Sequence, residues 1–263
     1  MLHGVLPIPP ERLALASLSV ALLFVIAWKL RLGIGKAAVT SALRGTAQLV
    51  AVGYVLGAIF AVPRFDLVLA TFLVMLGVAA RTGMGRVRKP IPGLSWLAFA
   101  AILSGTSLGV VVMTVIAVRP EPWWDPQYVI PFGGMLLGNG MNGSSLAGER
   151  FLEDLRIRRP EVEARLCLGF TGPDAVHPML ARALRASLIP TFNSFAVAGV
   201  VQLPGMMTGQ LLSGVAPLVA VEYQILIFFM LMTSTAVSTL VFLLLLRGRC
   251  LTAAHQLRVH VLR

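Results

Sequence analysis

Two asparagines inside an apolar, glycine-rich stretch are the residues of this chain best suited to do chemistry. Asn139 and Asn142 lie three positions apart in the sequence GGMLLGNGMNGSS. An amide side chain within a membrane-spanning helix is costly unless it bonds to another helix or lines a water-filled path. The pair is therefore either a polar link between helices or part of a translocation pathway, and the sequence leaves both open.

A second set of candidate ligands lies in the uncharged segment Leu203–Ser213. Methionine offers a soft thioether sulfur that binds soft metals, although it more often fills gaps in a core. The proline and glycines of this segment predict an irregular chain that re-enters the membrane. Neither set contains a charged side chain, so a pathway here would act on its cargo through neutral dipoles. The candidate pathway residues are Asn139, Asn142, Met206, Met207, Thr208 and Gln210.

The elements that position these residues are predicted to be membrane-spanning helices. Of the 263 residues, 57% are hydrophobic and only 13% are charged, and the mean hydropathy is +0.85. Soluble domains carry about 25% charged residues, and the apolar residues here form blocks close to the ~20 residues that cross a bilayer. We therefore predict an all-α, polytopic membrane protein with a single transmembrane domain over residues 1–263. Its seven apolar blocks are Leu13–Trp28, Leu43–Val62, Leu67–Ala80, Leu94–Val118, Tyr128–Ala147, Leu188–Leu203 and Val219–Leu246.

The positions of the basic residues predict the topology. The connections after blocks one, three and five, together with the C-terminal tail, hold 19 of the 22 Lys and Arg residues. The opposite set holds only Arg12, Arg64 and Arg119. Because basic residues accumulate on the cytoplasmic side, the N-terminus is predicted outside and the C-terminus in the cytoplasm of a multi-pass protein of the cell (inner) membrane. The net charge of +11 then indicates topology and contact with anionic lipid rather than nucleic-acid binding.

Small residues at four-residue spacing mark the fifth block as a close-packing helix. Such residues let two helix backbones approach each other inside lipid. The predicted helix-packing residues are Gly134, Gly138, Gly140, Ser144 and Gly148.

The charged stretch between the fifth and sixth blocks, residues 149–187, is predicted to be a polar loop that contains a short helix. Pro160 suits the first position of a helix and Gly169 suits its C-terminal cap, so we predict a helix over Pro160–Leu168. A helix held in water between two spans is suited to be gripped by a partner protein, and an inert solvated helix is the alternative. The side chains it presents among its charges are Val162, Leu166 and Cys167.

Motifs for catalysis or ATP binding are absent from the sequence. The Gly35–Lys36 pair lacks the preceding glycine and the following Ser or Thr of a Walker A loop. Cys167 and Cys250 have no metal-ligand spacing, and the histidines lie outside the apolar blocks. The Ser and Thr residues at 233–239 are predicted to bond to their own helix backbone. We therefore predict no enzyme activity and no cofactor in this chain, and the sequence identifies no metal site.

Three segments resemble one known family of membrane proteins. They are PFGGMLLGNGMNGSSLAGER (Pro131–Arg150), ARALRASLIPTFNSFAV (Ala181–Val197) and GVVQLPGMMTGQLLSG (Gly199–Gly214). They are similar to the FetB (YbbM) type of ABC-transporter permease, which is related to plant aluminium-tolerance permeases. The resemblance covers most of the chain from about Arg44 onward, and the family's seven-span topology agrees with the topology predicted from charge.

The resemblance implies partners for the chain. It implies a permease that works as a homodimer, with two copies of a separate cytoplasmic ABC ATPase subunit that binds the ATP. It also implies that the loop at 149–187 carries the coupling helix. ABC permeases carry an EAA pattern with glycine six residues after the glutamate, a spacing that Glu163 and Gly169 match, although Arg165 replaces the second alanine. The implied coupling residues are Glu163, Ala164, Leu166 and Gly169.

The function that the resemblance implies is export of iron or another metal, driven by the separate ATPase. An ABC permease for a nucleotide sugar is an alternative, because plant relatives are linked to nucleotide sugar. A channel or secondary carrier that needs no ATPase is another alternative. It differs from an ABC permease in that its transport does not require ATP. An intramembrane enzyme is the weakest hypothesis, since no catalytic group is recognisable.

Overall fold

The computed structural model describes residues 8–30, 35–85, 87, 91–252, 254 and 256–258. Of the basic residues counted for the topology, Arg31, Arg86, Arg88, Lys89 and Arg263 lie outside these ranges. The helices are α1 Pro10–Lys29, α2 Gly35–Ala61, α3 Phe65–Met84, α4 Leu94–Val111 with a π-helical continuation Val112–Val118, α5 Pro126–Ile157, α6 Arg159–Cys167, α7 Gly172–Ala196, α8 Gly205–Leu212 and α9 Pro217–Cys250.

The predicted all-α class is confirmed, since the described residues form helices and no strand beyond two isolated bridges. Within the described part of the chain, four helices are long and apolar enough to cross a membrane: Val39–Ala61, Phe65–Met84, Leu94–Val118 and Pro217–Cys250. The seven apolar blocks fall mainly on α1, α2, α3, α4 with its continuation, α5, α7 and α9. The count of seven spans and the orientation of the termini stay predictions.

The long helix α5 is the centre of the fold. It packs against α3, α4, α7 and α9, and α4 also packs along α9. Helix α1 packs against α2, and together they flank this body. One end of the body holds α6, with the end of α5 and the start of α7. The other holds α8. At that end Phe65 of α3 packs, with tilted and edge-to-face ring geometry, against Trp123 and Trp124, which precede α5. These are called below the α6 end and the α8 end.

Glycines let α4 and α5 lie directly against α9. A Cβ built on Gly105 of α4 would overlap the Ser238 hydroxyl and the Ser234 carbonyl of α9. On α5, a Cβ at Gly148 would lie 2.8 Å from Cε1 of Phe242, and one at Gly140 would lie 3.1 Å from the Ser238 hydroxyl. Such short distances mean that a larger residue would push the helices apart, so these glycines set the interhelical distance.

The other predicted packing residues of α5 have different surroundings. Ser144 is fully buried. Gly134 faces α3, where a Cβ would lie 3.1 Å from Cε of Met75. Gly138 faces open space, because a Cβ there would meet no atom within 4 Å. The small residues at four-residue spacing on α5 therefore face several neighbouring helices rather than one.

The polar stretch 149–187 is mostly helix and not loop. Helix α5 continues to Ile157 and α7 begins at Gly172, which leaves the connection 158–171 around α6. The charged residues of this stretch are good helix formers, and the Thr171 side chain accepts a hydrogen bond from the Asp174 amide to cap α7. The end of α5 and the start of α7 therefore hold α6 against one end of the core.

The expected irregular segment at Leu203–Ser213 is wrong in its central part, which forms α8. Pro204 stands at the N-cap, where its missing amide hydrogen is not needed. Thr208 donates from its hydroxyl to the Pro204 carbonyl over 3.1 Å. A single internal glycine costs about 1 kcal/mol in a helix, which the packing of this eight-residue helix against α9 offsets.

Candidate functional site

A small cavity with several polar side chains in its lining lies between α5, α7 and α9. Its volume is about 150 Å³. Both candidate asparagines, Asn139 and Asn142, line it from α5. Helix α7 supplies three hydroxyls and a proline, and α9 supplies an apolar wall. The lining residues on these two helices are Ser187, Pro190, Thr191, Ser194, Phe228 and Leu231.

The polar atoms of this cavity are held in place by the helix backbones. Asn139 donates from Nδ2 to the Met135 carbonyl over 3.0 Å, which leaves its amide oxygen as an acceptor. Ser187 donates to the Leu184 carbonyl over 2.7 Å, and Ser194 donates to the Pro190 carbonyl over 3.0 Å. A hydroxyl that has donated its proton still has oxygen lone pairs. The cavity therefore offers oxygen acceptors at defined positions.

Pro190 interrupts the helical hydrogen bonding of α7 beside the cavity. Proline has no amide hydrogen, so it cannot make the helical bond to the carbonyl four residues earlier, which belongs to Ala186. Freed carbonyls within a membrane helix are tolerated where they face other helices or a wet cavity. The α7 wall of the cavity therefore combines neutral side chains with a nearby break in the helical hydrogen bonds.

Size and charge decide what this cavity can hold. At about 150 Å³ it has room for roughly five water molecules at ~30 Å³ each, and it is smaller than the ~300–1,000 Å³ typical of organic-ligand pockets. Its lining residues carry no charge, so attraction for an ion comes from dipoles, as in a carbonyl-lined filter. The arrangement suits a small, partly hydrated ion.

A row of buried hydroxyls lies behind the α5 wall of the cavity. Gly143 lines the cavity, and a Cβ on it would lie 2.7 Å from the Thr239 hydroxyl of α9. Among the described residues, six buried hydroxyls of α4, α5 and α9 have no hydrogen-bond partner: Thr106, Ser144, Ser234, Thr235, Ser238 and Thr239. The expectation that the α9 hydroxyls bond to their own backbone is therefore wrong for Ser234, Thr235, Ser238 and Thr239. The close glycine contacts place them between helices instead.

The four candidate residues of α8 lie away from this cavity, because no α8 residue lines it. Met206 packs at the α8 end with a cluster that includes Met113, Phe132 and Ile227. The Gln210 amide oxygen is buried and has no hydrogen-bond partner among the described residues. Met207 and Thr208 lie beside them on the same short helix. The structure therefore divides the candidate pathway residues into two groups.

Helix α6 forms a separate candidate site at the other end of the body. Val162 is fully buried and joins the main core, so it anchors the helix and is not presented to a partner as the sequence suggested. Glu163 lies 2.7 Å from Arg159 in an ion pair, and Glu161 lies 3.2 Å from Arg165. These pairs order the charged face of a helix of only nine residues.

The C-terminus of α6 is a Schellman turn that exposes apolar side chains. Gly169 has a φ of +90° and donates to the Leu166 carbonyl over 3.0 Å, while the Phe170 amide donates to the Arg165 carbonyl over 3.2 Å. Leu168 is 77% exposed and Phe170 48% exposed. Ala164 is exposed and Leu166 is partly buried against the core. The turn thus places two large apolar side chains beside an ion-paired helix.

Acidic and thiol ligands are not clustered in the described part of the chain. No group of three or more His, Cys, Asp or Glu side chains there is placed to hold a metal ion. The residues that line the cavity between α5, α7 and α9 offer neutral amide and hydroxyl groups instead.

The chain matches one family over nearly its whole length. Residues 10–251 match the Uncharacterised protein family (UPF0014). The chain belongs to the UPF0014 family. No solved structure was found to match it.

Three curated relatives show how far the UPF0014 likeness extends. A UPF0014 membrane protein of Synechocystis is 41% identical over 73% of this chain and 74% of its own. The Arabidopsis thaliana protein ALUMINUM SENSITIVE 3 is 33% identical over 94% of this chain and 89% of its own. The Escherichia coli protein named probable iron export permease protein FetB is 32% identical over 96% of both chains. The predicted family resemblance is confirmed.

The sequence did not identify the α7 residues of the UPF0014 chain that complete this cavity. Ser187, Thr191 and Ser194 recur at four- and three-residue spacing around Pro190, which places them on one helix face. That spacing was a usable signal. The signal is weak, because Ser and Thr are ordinary in membrane helices, where they bond to the backbone.

Proposed function

We propose that this chain is the membrane-spanning permease subunit of an ABC transporter that exports iron or another metal ion. Two copies enclose the pathway, and a separate ATPase docks at the α6 end of each. The exposed apolar turn after α6 carries this proposal. Export of iron is the function named for the Escherichia coli relative, which aligns over 96% of both chains.

The α6 turn fits a protein partner better than it fits open water. Leu168 and Phe170 are exposed to 77% and 48%, although burying a side chain of this size contributes about 1.5–3 kcal/mol. The buried Val162 fixes the helix to the body, so force applied to α6 reaches α5 and α7. A cleft of the ATPase that covers both apolar side chains completes the contact.

The cavity between α5, α7 and α9 is the proposed cargo site. Its neutral oxygen acceptors and its volume of about 150 Å³ favour a small hydrated ion over a nucleotide sugar, which belongs in the larger pockets of organic ligands. Asn139 and Asn142 contact the cargo here. The α8 residues Met206 and Gln210 act later, at the opposite end of the path.

The proposed topology puts seven helices across the cell (inner) membrane. The α6 end and the C-terminus face the cytoplasm, in agreement with the asymmetry of the basic residues. The α8 end faces outward. On this arrangement the cargo enters from the ATPase side and leaves past α8, and the chain carries out no ATP hydrolysis itself.

Reconstitution tests the proposal directly. The purified chain and its ATPase subunit are placed in proteoliposomes, and Fe²⁺, other divalent metals and nucleotide sugars are supplied in turn with and without ATP. We expect ATP-dependent metal transport and metal-stimulated hydrolysis. Flux through the chain alone without ATP would indicate a channel or carrier, and stimulation by a nucleotide sugar alone would replace the metal as cargo.

A double variant tests the docking surface, and a single variant at the opposite end of the body is its control. Leu168→Asp with Phe170→Asp places charges in the proposed contact, whereas Val200→Asp places one at an 89% exposed position at the α8 end. The first should abolish co-purification of the ATPase, and the second should not. Equal co-purification of both would contradict docking at α6.

A further inference from the structure

A second, larger cavity lies between α2, α3 and α5 and has a different chemical character. Its volume is about 530 Å³. Arg44 and Gln48, one turn apart on α2, line it together with the hydroxyl residues Ser41 and Thr82. The remaining walls are apolar or glycine. A cation and an amide at one side of an apolar cavity are the features of a site for an amphiphile with an acidic headgroup.

The charge of Arg44 has no acidic partner in the part of the chain that the structure describes. No acidic residue lines the cavity, and Arg44 forms no ion pair with any described residue. It is exposed and stands at the start of the apolar block Leu43–Val62 on α2, so its guanidinium lies close to the membrane interface. An arginine there is attracted to the anionic headgroups of lipids. Such an anion comes from outside the described residues.

The walls favour a lipid over a free anion. Val74 and Val78 of α3 line the cavity and are 66% and 52% exposed, so the cavity opens sideways towards the surroundings of the bundle. Gly138 of α5 lines the cavity where a Cβ would meet nothing within 4 Å, which leaves space for a hydrocarbon chain. Inorganic phosphate would satisfy Arg44 but would leave these apolar walls uncovered.

We propose that this cavity binds an anionic phospholipid of the leaflet at the α6 end. The phosphate lies against Arg44 and Gln48, and an acyl chain lies along the α3 and α5 walls past Gly138. Because acidic lipids neutralise basic residues at membrane surfaces, the bound lipid holds α2 against the body. The site is independent of the cargo cavity and does not depend on the identity of the transported ion.

Native mass spectrometry of the purified full chain tests the site. Phosphatidylglycerol and phosphatidylcholine with the same acyl chains are titrated separately, and inorganic phosphate is titrated alone and in competition. Phosphatidylglycerol should bind more tightly than phosphatidylcholine. Arg44→Gln should weaken phosphatidylglycerol binding by about tenfold or more, the size expected for a lost charge-assisted contact. Arg249→Gln, an exposed arginine of α9 near the α6 end, should leave binding unchanged.

A cavity-filling variant separates a lipid from a soluble anion. Gly138→Leu fills the proposed acyl-chain space and should weaken phosphatidylglycerol binding, whereas Gly53→Leu on α2, which also meets nothing within 4 Å, should not. Each variant is checked for an unchanged elution volume and melting temperature. If Arg44→Gln unfolds, Arg44→Lys replaces it and is expected to retain part of the binding. Phosphate binding that Gly138→Leu leaves intact and that displaces the lipid would overturn the proposal, as would equal binding of the two lipids.

Discussion

Arg182 of α7 donates a hydrogen bond from Nε to Oδ2 of Asp154 on α5 over 3.0 Å. This ion pair joins the ends of α5 and α7 that flank α6. It therefore links the Schellman turn after α6, where we propose that the ATPase docks, to the helices that line the proposed cargo cavity. Both side chains are partly exposed, at 45% and 28%. The pair is therefore suited to transmit movement more than to hold the fold together, because ion pairs at such exposure contribute about 0–1 kcal/mol.

Breaking this pair should reduce coupling more than stability. We expect Asp154→Asn and Arg182→Gln each to lower the free energy of unfolding by at most about 1 kcal/mol, while metal-stimulated ATP hydrolysis by the reconstituted complex falls. The exchanged pair Asp154→Arg with Arg182→Asp should recover part of the stimulation. The control is Arg150→Gln, which breaks the 3.6 Å pair with Glu153 within α5 alone. Equal loss of stimulation in the control would show that the interhelical link has no special role.

The left-handed glycine after α6 gives a second prediction. Gly169 has a φ of +90° and a Cβ there would meet no atom within 4 Å, so substitution strains the backbone without a steric clash. Valine resists this conformation at a cost of roughly 1–2 kcal/mol, whereas asparagine tolerates it. Gly169→Val should weaken ATPase association in pull-down experiments while the permease still inserts, and Gly169→Asn should retain most of it. Equal association of both variants with the ATPase would argue against a role for the Schellman turn.

The sequence predicted α6 well because its boundaries are local. Pro160 and Gly169 act through their own backbone restrictions, and the structure has a helix over Arg159–Cys167 with Gly169 just beyond it. The fate of Val162 was not predictable in the same way. Its burial depends on where α6 folds back onto the core, and that contact is between elements distant along the chain.

The candidate cavity was predictable only in part for a related reason. An asparagine in an apolar block stands out against its neighbours, so Asn139 and Asn142 were identified without knowledge of the fold. Ser187 and Thr191 became candidates only when α7 was seen to face α5. Helix α8 itself was not predicted, because the packing of this eight-residue helix against α9 overrides the weak helix propensity of its glycine.

The cargo cavity predicts a loss of transport without a loss of folding. Asn142→Ala removes an amide and Thr191→Val removes one hydroxyl at constant shape, and each loss of a polar contact is worth about 1–3 kcal/mol. Metal export in proteoliposomes should therefore fall by roughly tenfold at sub-saturating metal, since 1.4 kcal/mol corresponds to a factor of ten. Asn193→Ala, at an exposed α7 position outside the cavity, serves as the control. Unchanged export by both cavity variants would place the cargo site elsewhere.

The close contact of Gly105 on α4 with α9 predicts that adding a single methyl group there lowers the stability of the chain. A Cβ at Gly105 would overlap the carbonyl oxygen of Ser234 as well as the Ser238 hydroxyl, and a backbone atom cannot rotate away. Gly105→Ala should therefore destabilise the chain by about 1–3 kcal/mol, the usual cost of overpacking. Gly57→Ala on α2 is the matched control, because a Cβ there meets nothing within 4 Å and alanine is a better helix former than glycine. Thermal unfolding in detergent, followed by intrinsic fluorescence, should show a lower melting temperature for Gly105→Ala and an equal or higher one for Gly57→Ala. A melting temperature for Gly105→Ala at or above that of the parent would mean that α4 and α9 do not approach as closely as this contact requires.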